Sequence, residues 1–505
     1  MAATVLELFE GSTSLIHHAD GAIAATVLAG EGRRLAASWR SDGLEPGDRV
    51  AVYADNGLAY LRSIAAAAAG RFVLVSVNRR YAPEEAQSLV ARSGAHLVVT
   101  DANPSIFQAG SAPLSVIEAA ALAVPSVALA DEPAPLDELV TEVVAADDPF
   151  VVFTTSGTTS RPKMVLHHQR SIAVHAFDAA ARFELTAADR VLVALPLCGV
   201  FGFDSLTAAV AADSDVWLPN RFDALAVADL VASEAITTMN GSDDMFHRML
   251  GSGADLSTVR VGGYGRFNTS LDGIVGRAAE RGLTLTGLYG MSEVQALFAL
   301  RDPSEAVLGR ERAGGTTASP SAHFRIVDPE SGDDLDVGLV GELQLIGPSL
   351  FAGYLDEGGA RVDRALTDAA HVEADGMRWF RTGDLAQREA DGTFTYLTRM
   401  GDVLRLGGFL VSPAEIEAVV LQSPGIEAAA AVAIARPGGV RAAVIVVADH
   451  EPDSQAIIAH CNDHLARYKV PIAVIRVDEF PTTPSANGTK IRVGELRALA
   501  EAALS

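Results

Sequence analysis

A run of small hydroxylated residues that ends in a lysine is the first segment with residues suited to chemistry. From Thr154 to Lys163 the chain reads Thr-Thr-Ser-Gly-Thr-Thr-Ser-Arg-Pro-Lys, directly after an apolar segment of strand length. Backbone N–H groups, hydroxyls and one mobile ammonium can together enclose a polyphosphate. The run is not a Walker A loop, because Pro162 lacks an N–H to donate and Met164 has no hydroxyl for magnesium. An ordinary polar loop between a strand and a helix is the alternative interpretation.

Lysine is rare in this sequence, and its few positions are informative. The 505 residues include 39 Lys and Arg against 64 Asp and Glu, which gives a formal net charge of -25. Only Lys163, Lys469 and Lys490 are lysines. A chain this acidic is a poor candidate for binding nucleic acid or an anionic membrane, since both require a positive protein surface.

The hydroxylated loop is followed by segments that resemble, in type and order, those of the adenylate-forming superfamily. This superfamily includes acyl-CoA synthetases, aryl-CoA ligases, peptide-synthetase adenylation domains and beetle luciferases. The segments that carry the resemblance are Tyr289-Gly290-Met291-Ser292-Glu293, Gly341-Glu342-Leu343 with Gly353-Tyr354, Thr382-Gly383-Asp384, Thr398-Arg399-Met400-Gly401-Asp402, Gly408 to Glu417 and Pro484 to Arg492. Each segment is weak by itself, but their order from residue 154 to 492 is specific.

The resemblance implies ATP, Mg²⁺ and coenzyme A as cofactors and a small-molecule carboxylic acid as substrate. It places Lys490, Ser292 and Glu293 in catalysis, with Glu293 as a magnesium ligand, which suits a hard carboxylate oxygen. It places Tyr289 beside adenine and Asp384 on the ribose hydroxyls, while Gly263 and Tyr264 form a strand end that flanks adenine. The expected nucleotide contacts are Thr154, Thr155, Ser156, Gly157, Thr158, Thr159, Lys163, Gly263, Tyr264, Tyr289, Gly290, Asp384 and Arg399.

The reaction that the resemblance implies explains the lysines. An acyl adenylate forms when a carboxylate approaches the α-phosphorus of ATP, and these two anions repel each other. A compact ammonium at Lys490 can bridge the carboxylate and the α-phosphate, whereas a planar guanidinium is too broad. Lys163 is expected at the leaving phosphates. Lys469 has either a structural role or a contact with the thiol substrate or a phosphate.

The sequence departs from the family pattern at several positions. Ser160 and Met164 replace glycines of the phosphate loop, Thr489 is inserted before the lysine, and Gly401 is the predicted hinge. Glycine there permits either backbone state. The leading hypothesis is an AMP-forming acid–CoA ligase. The alternatives are a stand-alone adenylating enzyme that loads an acyl carrier protein or performs only the first half-reaction, and a non-catalytic adenylate-binding relative.

A glycine at a wall position of the predicted acyl pocket favours a bulky acid. The resemblance predicts an aromatic residue or histidine at position 199, and Gly199 removes that wall. Peptide-synthetase domains that take α-amino acids carry an aspartate at about this place, which Gly199 cannot replace. The predicted substrate contacts are Cys198, Gly199, Phe201, Asn240, Gly262 and Met291, with Cys198 an apolar liner. The roles of Asp204, Asp243 and Asp244 stay open, and His167 and His168 are expected on a helix as satisfied or exposed histidines.

These residues require an α/β scaffold that positions them. Short apolar runs at 49–53, 72–76, 96–100 and 150–154 alternate with Ala-rich helical segments, which predicts largely parallel sheets. A Pro-rich acidic stretch at 131–138 predicts an exposed connector. The resemblance implies a large AMP-binding and acyl-binding domain, which we place at 1–400, and a small mobile lid, which we place at 401–505. The lid is predicted as an α+β domain with strands at 428–435 and 442–448.

Composition limits the setting of the protein. Two cysteines, Cys198 and Cys461, are too few for a disulfide framework or a Cys-rich zinc site. The most apolar tracts are shorter than the ~20 residues of a membrane helix, and the N-terminus lacks the pattern of a secretory signal. These observations predict a cytoplasmic protein without a membrane segment. The oligomeric state, including a homodimer, stays open.

Overall fold

The structure is a computed structural model that describes most of the chain. The described residues are 2–107, 115–119, 143–155, 162–267, 271, 273–359, 361–400, 404–406, 409–411, 413–436, 439–485 and 488–504. At 405, 409–410, 483–485 and 488–490 the description covers the backbone alone. The predicted connector at 131–138 lies outside the described residues.

Helices and strands alternate along most of the chain. The described helices are α1 (Val5–Gly11), α2 (Ala25–Ser41), α3 (Leu58–Gly70), α4 (Pro83–Ser93), α5 (Gln169–Arg182), α6 (Val200–Ala211), α7 (Ala224–Ser233), α8 (Asp243–Gly251), α9 (Ile274–Ala279), α10 (Val307–Arg310), α11 (Arg364–Ala369), α12 (Pro413–Val420), α13 (Ser454–His464) and α14 (Val493–Ala503). A 3₁₀ turn covers Pro104–Phe107.

The strands fall into several sheets. Those before residue 320 are β1 (Leu15–His18), β2 (Gly21–Ala24), β3 (Arg49–Tyr53), β4 (Val73–Ser76), β5 (Leu97–Thr100), β6 (Ser115–Glu118), β7 (Pro149–Thr154), β8 (Met164–His168), β9 (Arg190–Leu192), β10 (Asp215–Leu218), β11 (Thr238–Met239), β12 (Gly241–Ser242), β13 (Gly262–Gly265), β14 (Leu285–Met291), β15 (Gln295–Leu300) and β16 (Gly314–Thr317). Those after it are β17 (His323–Val327), β18 (Val340–Ile346), β19 (Gly353–Tyr354), β20 (His371–Ala374), β21 (Met377–Arg388), β22 (Phe394–Arg399), β23 (Leu404–Leu406), β24 (Phe409–Val411), β25 (Ile426–Arg436), β26 (Gly439–Ala448), β27 (Val474–Val477), β28 (Thr482–Ser485) and β29 (Gly488–Ile491).

The chain divides into two compact units. The first consists of Met1–Gly265, Ile274–His323 and Leu345–Phe380, and the second of Arg266–Gly273, Phe324–Gln344 and Arg381–Ser505. The predicted domain boundary at 400/401 falls within the second unit and stays a prediction. None of the described helices is long and apolar enough to span a bilayer.

A mostly parallel sheet forms the core of the first unit. Its strand order is β19-β8-β7-β4-β3-β5-β6. The pairs among β3 to β7 are parallel, and β8 is antiparallel to both of its neighbours. The apolar runs of β4 and β5 are fully buried, as expected for strands covered on both faces. The four strands predicted in this region are confirmed.

Two further sets of strands belong to the first unit. One sheet has the order β11-β9-β10-β1-β2, and in another the strands β12, β13, β14, β15 and β16 lie side by side. β12 to β14 are parallel, whereas β14, β15 and β16 are antiparallel. The two predicted nucleotide segments, at β13 and at the end of β14, therefore lie on adjacent strands.

In the second unit, the C-terminal sheet β25-β26-β27 is packed on both faces. Ala429 and Ala431 face a cluster that contains α12 and α13, whereas Ala430 and Val432 face α14. Alternate residues of a strand point to opposite faces, so this small sheet buries both sides. The predicted strands at 428–435 and 442–448 are confirmed.

Candidate active site

The hydroxylated loop joins two antiparallel strands, not a strand and a helix. β7 ends at Thr154 and β8 begins at Met164, and these two residues pair across the strands. The Thr155 N–H donates to the Lys163 carbonyl at 3.1 Å, and the Lys163 N–H donates to the Thr155 hydroxyl at 3.1 Å. Two hydrogen bonds therefore close the base of the loop. Outside the described residues lie Ser156, Gly157, Thr158 and Thr159.

The predicted helical placement of the two histidines is wrong. His167 and His168 are the last residues of β8, and α5 begins only at Gln169. The apolar residues Val165 and Leu166 pair with β7, so this segment extends the sheet before the chain turns into the helix. His167 is fully buried.

One tyrosine connects the lysine of the loop with the predicted magnesium ligand. The Lys163 ammonium lies 4.5 Å from the centre of the Tyr354 ring, within the range of a cation–π contact. The Tyr354 hydroxyl donates to Glu293 Oε1 at 2.9 Å, and Glu293 is only 5% exposed. The sequence analysis assigned no binding or catalytic role to Tyr354. In the structure, Tyr354 brings Lys163 and Glu293 to one place.

A tight turn after β14 holds Ser292 and Glu293. Tyr289, Gly290 and Met291 end β14, with Tyr289 buried and opposite Ala299 of β15. A Cβ at position 290 would lie 2.2 Å from the Ala296 carbonyl oxygen, so glycine is required by the close approach of the two strands.

The predicted adenine-flanking residues lie on β13, as the sequence indicated. The Gly263 N–H donates to Asn240 Oδ1 at 3.0 Å, and a Cβ at position 263 would lie 2.6 Å from the same oxygen. The Tyr264 ring is buried, and its hydroxyl donates to the Glu311 carbonyl at 2.6 Å. Gly262 precedes them, close to the Met239 carbonyl oxygen.

Three of the predicted acyl-binding residues, Cys198, Gly199 and Phe201, lie at the start of α6. Gly199 is the residue before the helix, and Cys198 and Phe201 are buried on either side of it. Burial raises the pKa of the Cys198 thiol to about 11, so the thiol is neutral and suited to lining a pocket. Asn240 Nδ2 donates to the Ser205 hydroxyl at 3.0 Å, which links α6 to β13 through Asn240.

Asp204 is hydrogen-bonded to the backbone of β15. It is 1% exposed, and its carboxylate accepts from the Ala296 N–H at 2.7 Å. Burial raises its pKa well above the ordinary value and lowers the pKa of His175, 3.6 Å away, to about 3. The contact between the two side chains is therefore between neutral groups and not an ion pair. This arrangement gives Asp204 a structural role.

The other two carboxylates with open roles belong to the first turn of α8. Ser242 caps the helix by accepting from the Met245 N–H at 3.2 Å, and Asp243 accepts from the Asp244 N–H at 2.9 Å. Asp244 lies 3.8 Å from Arg248, one helical turn away. Acidic groups are favourable at the positive end of a helix, so both aspartates have a structural explanation.

In the second unit, the two predicted ribose contacts are cross-strand neighbours. Asp384 on β21 pairs with Arg399 on β22, and Arg399 Nε lies 3.6 Å from Asp384 Oδ1. Asp384 is buried, whereas the Arg399 side chain is 49% exposed. The Asp384 N–H donates to the Thr382 hydroxyl at 3.0 Å, and that hydroxyl donates to the Leu343 carbonyl at 2.7 Å. The register of one hairpin therefore sets the pair.

The structure describes the side chain of Lys469 but only the backbone of Lys490. Lys490 lies on β29 and pairs with Thr483 of β28, and only its backbone is described. The predicted hinge residue, Gly401, lies outside the described residues. The Lys469 ammonium donates to the Glu415 carboxylate, which supports the structural interpretation of this lysine.

Comparison with known proteins agrees with the order of these segments. Residues 28–355 match the family model of the AMP-binding enzymes, and residues 415–487 match the model of the AMP-binding enzyme C-terminal domain. A feruloyl-CoA synthase from Amycolatopsis sp is 31% identical over 496 residues, which cover 95% of each chain. An indoleacetate–CoA ligase from Aromatoleum aromaticum is 31% identical over 364 residues, 70% of this chain and 68% of that protein.

The fold agrees as well. The crystal structure of ATP-bound MatB from Rhodopseudomonas palustris superposes with a TM-score of 0.84 at 23% identity and covers 100% of both chains. The α/β architecture predicted for an adenylate-forming enzyme is thus confirmed. Because the relatives that match along nearly the whole chain are CoA ligases, the acid–CoA ligase hypothesis is favoured over the carrier-loading alternative. The chain belongs to the family of AMP-binding enzymes and, within it, is an AMP-forming acid–CoA ligase.

Proposed function

We propose that the acid activated by this ligase is a bulky aromatic or cyclic carboxylic acid without an α-amino group. The observation that carries the proposal is the start of α6, where Gly199 lies between the buried apolar residues Cys198 and Phe201. Asp204, one helical turn further, is bound to the β15 backbone and buried, so it does not offer an anion to a substrate amine. The feruloyl-CoA synthase and indoleacetate–CoA ligase relatives, whose names specify aromatic acids, support this substrate class.

The first half-reaction joins the acid to AMP. A carboxylate oxygen attacks the α-phosphorus of ATP, the bond to the β-phosphate oxygen breaks, and pyrophosphate leaves. We assign Lys490 to the developing charge on the α-phosphate and Lys163 to the leaving phosphates. Asp384 and Arg399 are assigned to the ribose. In the second half-reaction, the thiol of coenzyme A attacks the acyl carbon, and AMP leaves.

The residues present fit a magnesium ion. Glu293 offers a carboxylate, one oxygen of which is held by the Tyr354 hydroxyl, and the Lys163 ammonium stands beside the same tyrosine to meet phosphate. When bound, Mg²⁺ neutralises charge on the phosphates of ATP. The chain itself orients the carboxylate and supplies the ammonium. ATP and coenzyme A as substrates also support the predicted cytoplasmic location. Gly401 as the hinge and the 400/401 domain boundary remain proposals.

The substrate proposal is tested with a panel of acids. Pyrophosphate exchange into ATP and CoA thioester formation, followed by mass spectrometry, would be measured for ferulate, indoleacetate, benzoate, acetate and phenylalanine. The first three should react, and the last two should not. Preference for acetate or for the amino acid would contradict the proposal.

A substitution tests the role of the glycine. Gly199→His restores the wall that the family resemblance predicts, so we expect the KM for the best bulky acid to rise about 10-fold, as one or two lost apolar contacts imply. Leu225→His introduces the same side chain at an exposed position of α7 and serves as the control. Equal effects of the two substitutions would remove Gly199 from the acyl pocket.

A further inference from the structure

The turn that carries Ser292 and Glu293 is conformationally demanding. The Val294 N–H donates to the Met291 carbonyl at 3.2 Å, and Met291 pairs with Gln295 across the turn. Gln295 has a φ of +73°, a left-handed conformation that costs a residue with a side chain about 1–2 kcal/mol. The turn therefore needs support from its surroundings to keep this geometry.

His167 supplies such support from β8. Its Nε2 lies 2.7 Å from the Ser292 carbonyl oxygen, and its Nδ1 lies 3.0 Å from Gln295 Nε2. A carbonyl oxygen only accepts, so Nε2 carries the proton and donates to Ser292. Nδ1 then accepts from the Gln295 amide. One imidazole thus holds the residue before Glu293 and the left-handed residue two positions after it.

The surroundings of the ring fix this tautomer. The Ser171 hydroxyl is 3.3 Å from Nδ1, but it donates its proton to the His168 carbonyl at 3.0 Å. Gln295 is therefore the donor to Nδ1. Burial lowers the pKa of His167 to about 4, so the ring is neutral near pH 7 and can accept at one nitrogen while it donates at the other.

Strand geometry places His167 and Tyr354 on one side of the sheet. Tyr354 pairs with Val165 of β8, and His167 lies two residues further along the strand, so both side chains share a face. Tyr354 binds the Glu293 carboxylate while His167 binds the Ser292 carbonyl. Phe153, on β7 just before the phosphate loop, packs edge-on against the His167 ring, and the centres of the two rings are 5.9 Å apart.

On the basis of the proposed role of Glu293 in ATP binding, we propose that His167 is a positioning residue that holds the Ser292–Glu293 turn in register with the strands that flank the phosphate loop. It acts through the Ser292 carbonyl and the Gln295 amide. His167 touches neither substrate nor metal in this proposal. Its loss therefore affects the ATP step and leaves recognition of the acid and of coenzyme A unchanged.

The test compares variants at this position that keep one or neither of the two hydrogen-bonding positions of the imidazole. His167→Leu removes both hydrogen bonds and introduces an apolar side chain of similar volume. His167→Gln keeps a donor near the place of Nε2, whereas His167→Asn keeps a polar group only near Nδ1. His168→Gln is the matched control, because His168 lies on the opposite face of the same strand and its ring contacts the Asp147 carbonyl.

The readouts separate positioning from folding. The dissociation constant for ATP with Mg²⁺, without acid present, would be measured by calorimetry, together with KM values for ATP, acid and coenzyme A. We expect His167→Leu and His167→Asn to weaken ATP binding about 10-fold, as loss of one or two buried hydrogen bonds implies, with unchanged KM for the other substrates. His167→Gln should retain most of the affinity, and His168→Gln should equal the wild type.

A double variant distinguishes failure of this proposal from failure of the proposed Glu293 role. If Glu293→Gln leaves ATP binding unchanged, the role of Glu293 is wrong, and the proposal for His167 is overturned with it. If Glu293→Gln weakens binding but His167→Leu does not, positioning by His167 alone is overturned. Combining the two should add little to Glu293→Gln, whereas additive losses would indicate independent roles. If His167→Leu does not fold, the contrast between His167→Gln and His167→Asn decides, and equal affinities would overturn the proposal.

Discussion

The two predicted halves of the nucleotide site are built in different ways. In the first unit, Glu293 lies in a strained turn that buried side chains from β8, β19 and α6 hold in place. In the second unit, Asp384 and Arg399 are placed by the register of a single hairpin, with the arginine half exposed. A buried network fixes a geometry that the local backbone does not favour, whereas the pairing of two neighbouring strands already brings Asp384 and Arg399 side by side. Substitution of supporting residues should therefore weaken the first arrangement strongly, whereas the second should depend mainly on the contacting residues themselves.

The largest effect is expected at Lys490. Lys490→Ala should slow adenylation by about 100- to 1,000-fold, because one preorganised positive group opposite developing charge contributes that much. Transfer from a supplied acyl-AMP to coenzyme A should fall far less. Pyrophosphate exchange and single-turnover thioester formation measure the two steps. Lys469→Ala is the control, since its ammonium pairs with Glu415, and equal losses in both steps for Lys490→Ala would overturn the assignment.

Glu293→Gln tests the buried half directly. The amide oxygen can still accept from Tyr354, but the charge that would hold magnesium is gone, so we expect kcat/KM for ATP to fall about 100-fold. The Mg²⁺ concentration for half-maximal activity should rise. Glu280→Gln, at an exposed position, controls for the loss of one charge. An unchanged Mg²⁺ dependence would argue against Glu293 as the ligand.

Asp384→Asn gives the matching result for the hairpin half. An amide oxygen still accepts from one ribose hydroxyl, so we expect about a 10-fold rise in the KM for ATP, equivalent to roughly 1.5 kcal/mol for a hydrogen bond to a charged group. The thermal midpoint should change little, and Asp391→Asn in the neighbouring turn is the control. A larger loss than that of Glu293→Gln would reverse the comparison between the two halves.

Tyr354→Phe tests whether a residue that only supports Glu293 affects ATP binding. The ring near Lys163 is kept, but the buried Glu293 carboxylate loses its hydroxyl donor, which costs about 1–3 kcal/mol. We expect a lower thermal midpoint and a several-fold weaker affinity for ATP, measured by calorimetry. Tyr396→Phe, on β22 of the second unit, is the control. If Tyr354→Phe changed neither quantity, the idea that the first half depends on its supporting residues would lose its main case.

The smallest effect is expected at Asp204. Burial raises its pKa, so its contribution to stability is present at acid pH and is lost as the pH rises through the raised folded value. Asparagine keeps the shape without the charge. The thermal midpoint of Asp204→Asn should therefore improve relative to the wild type as the pH rises above about 4, the ordinary pKa of an aspartate, while the KM for the acid stays constant. A difference that does not depend on pH would show that Asp204 is not held neutral by burial.

Much of this protein was readable without its structure. The order of the motifs predicted the acid–CoA ligase activity, and the apolar runs predicted β3, β4, β5 and β7. Asp384 and Arg399 were each predicted from a separate motif, but the sequence did not show that they are cross-strand neighbours. The periodicity did not distinguish a short strand from the start of a helix, so the segment with His167 was misassigned. A correct strand assignment would have placed His167 on the face of Val165.

The sequence by itself determined which residues are available for chemistry, because residue types and their order along the chain are local properties. Only the tertiary structure decided which of them meet. Tyr354 reaches Glu293, His167 reaches Ser292, and Asp204 is turned to the β15 backbone because of strand order and register. These contacts join residues far apart in the chain. Pairing between distant strands depends on the packing of the whole unit, which no single segment of the sequence specifies.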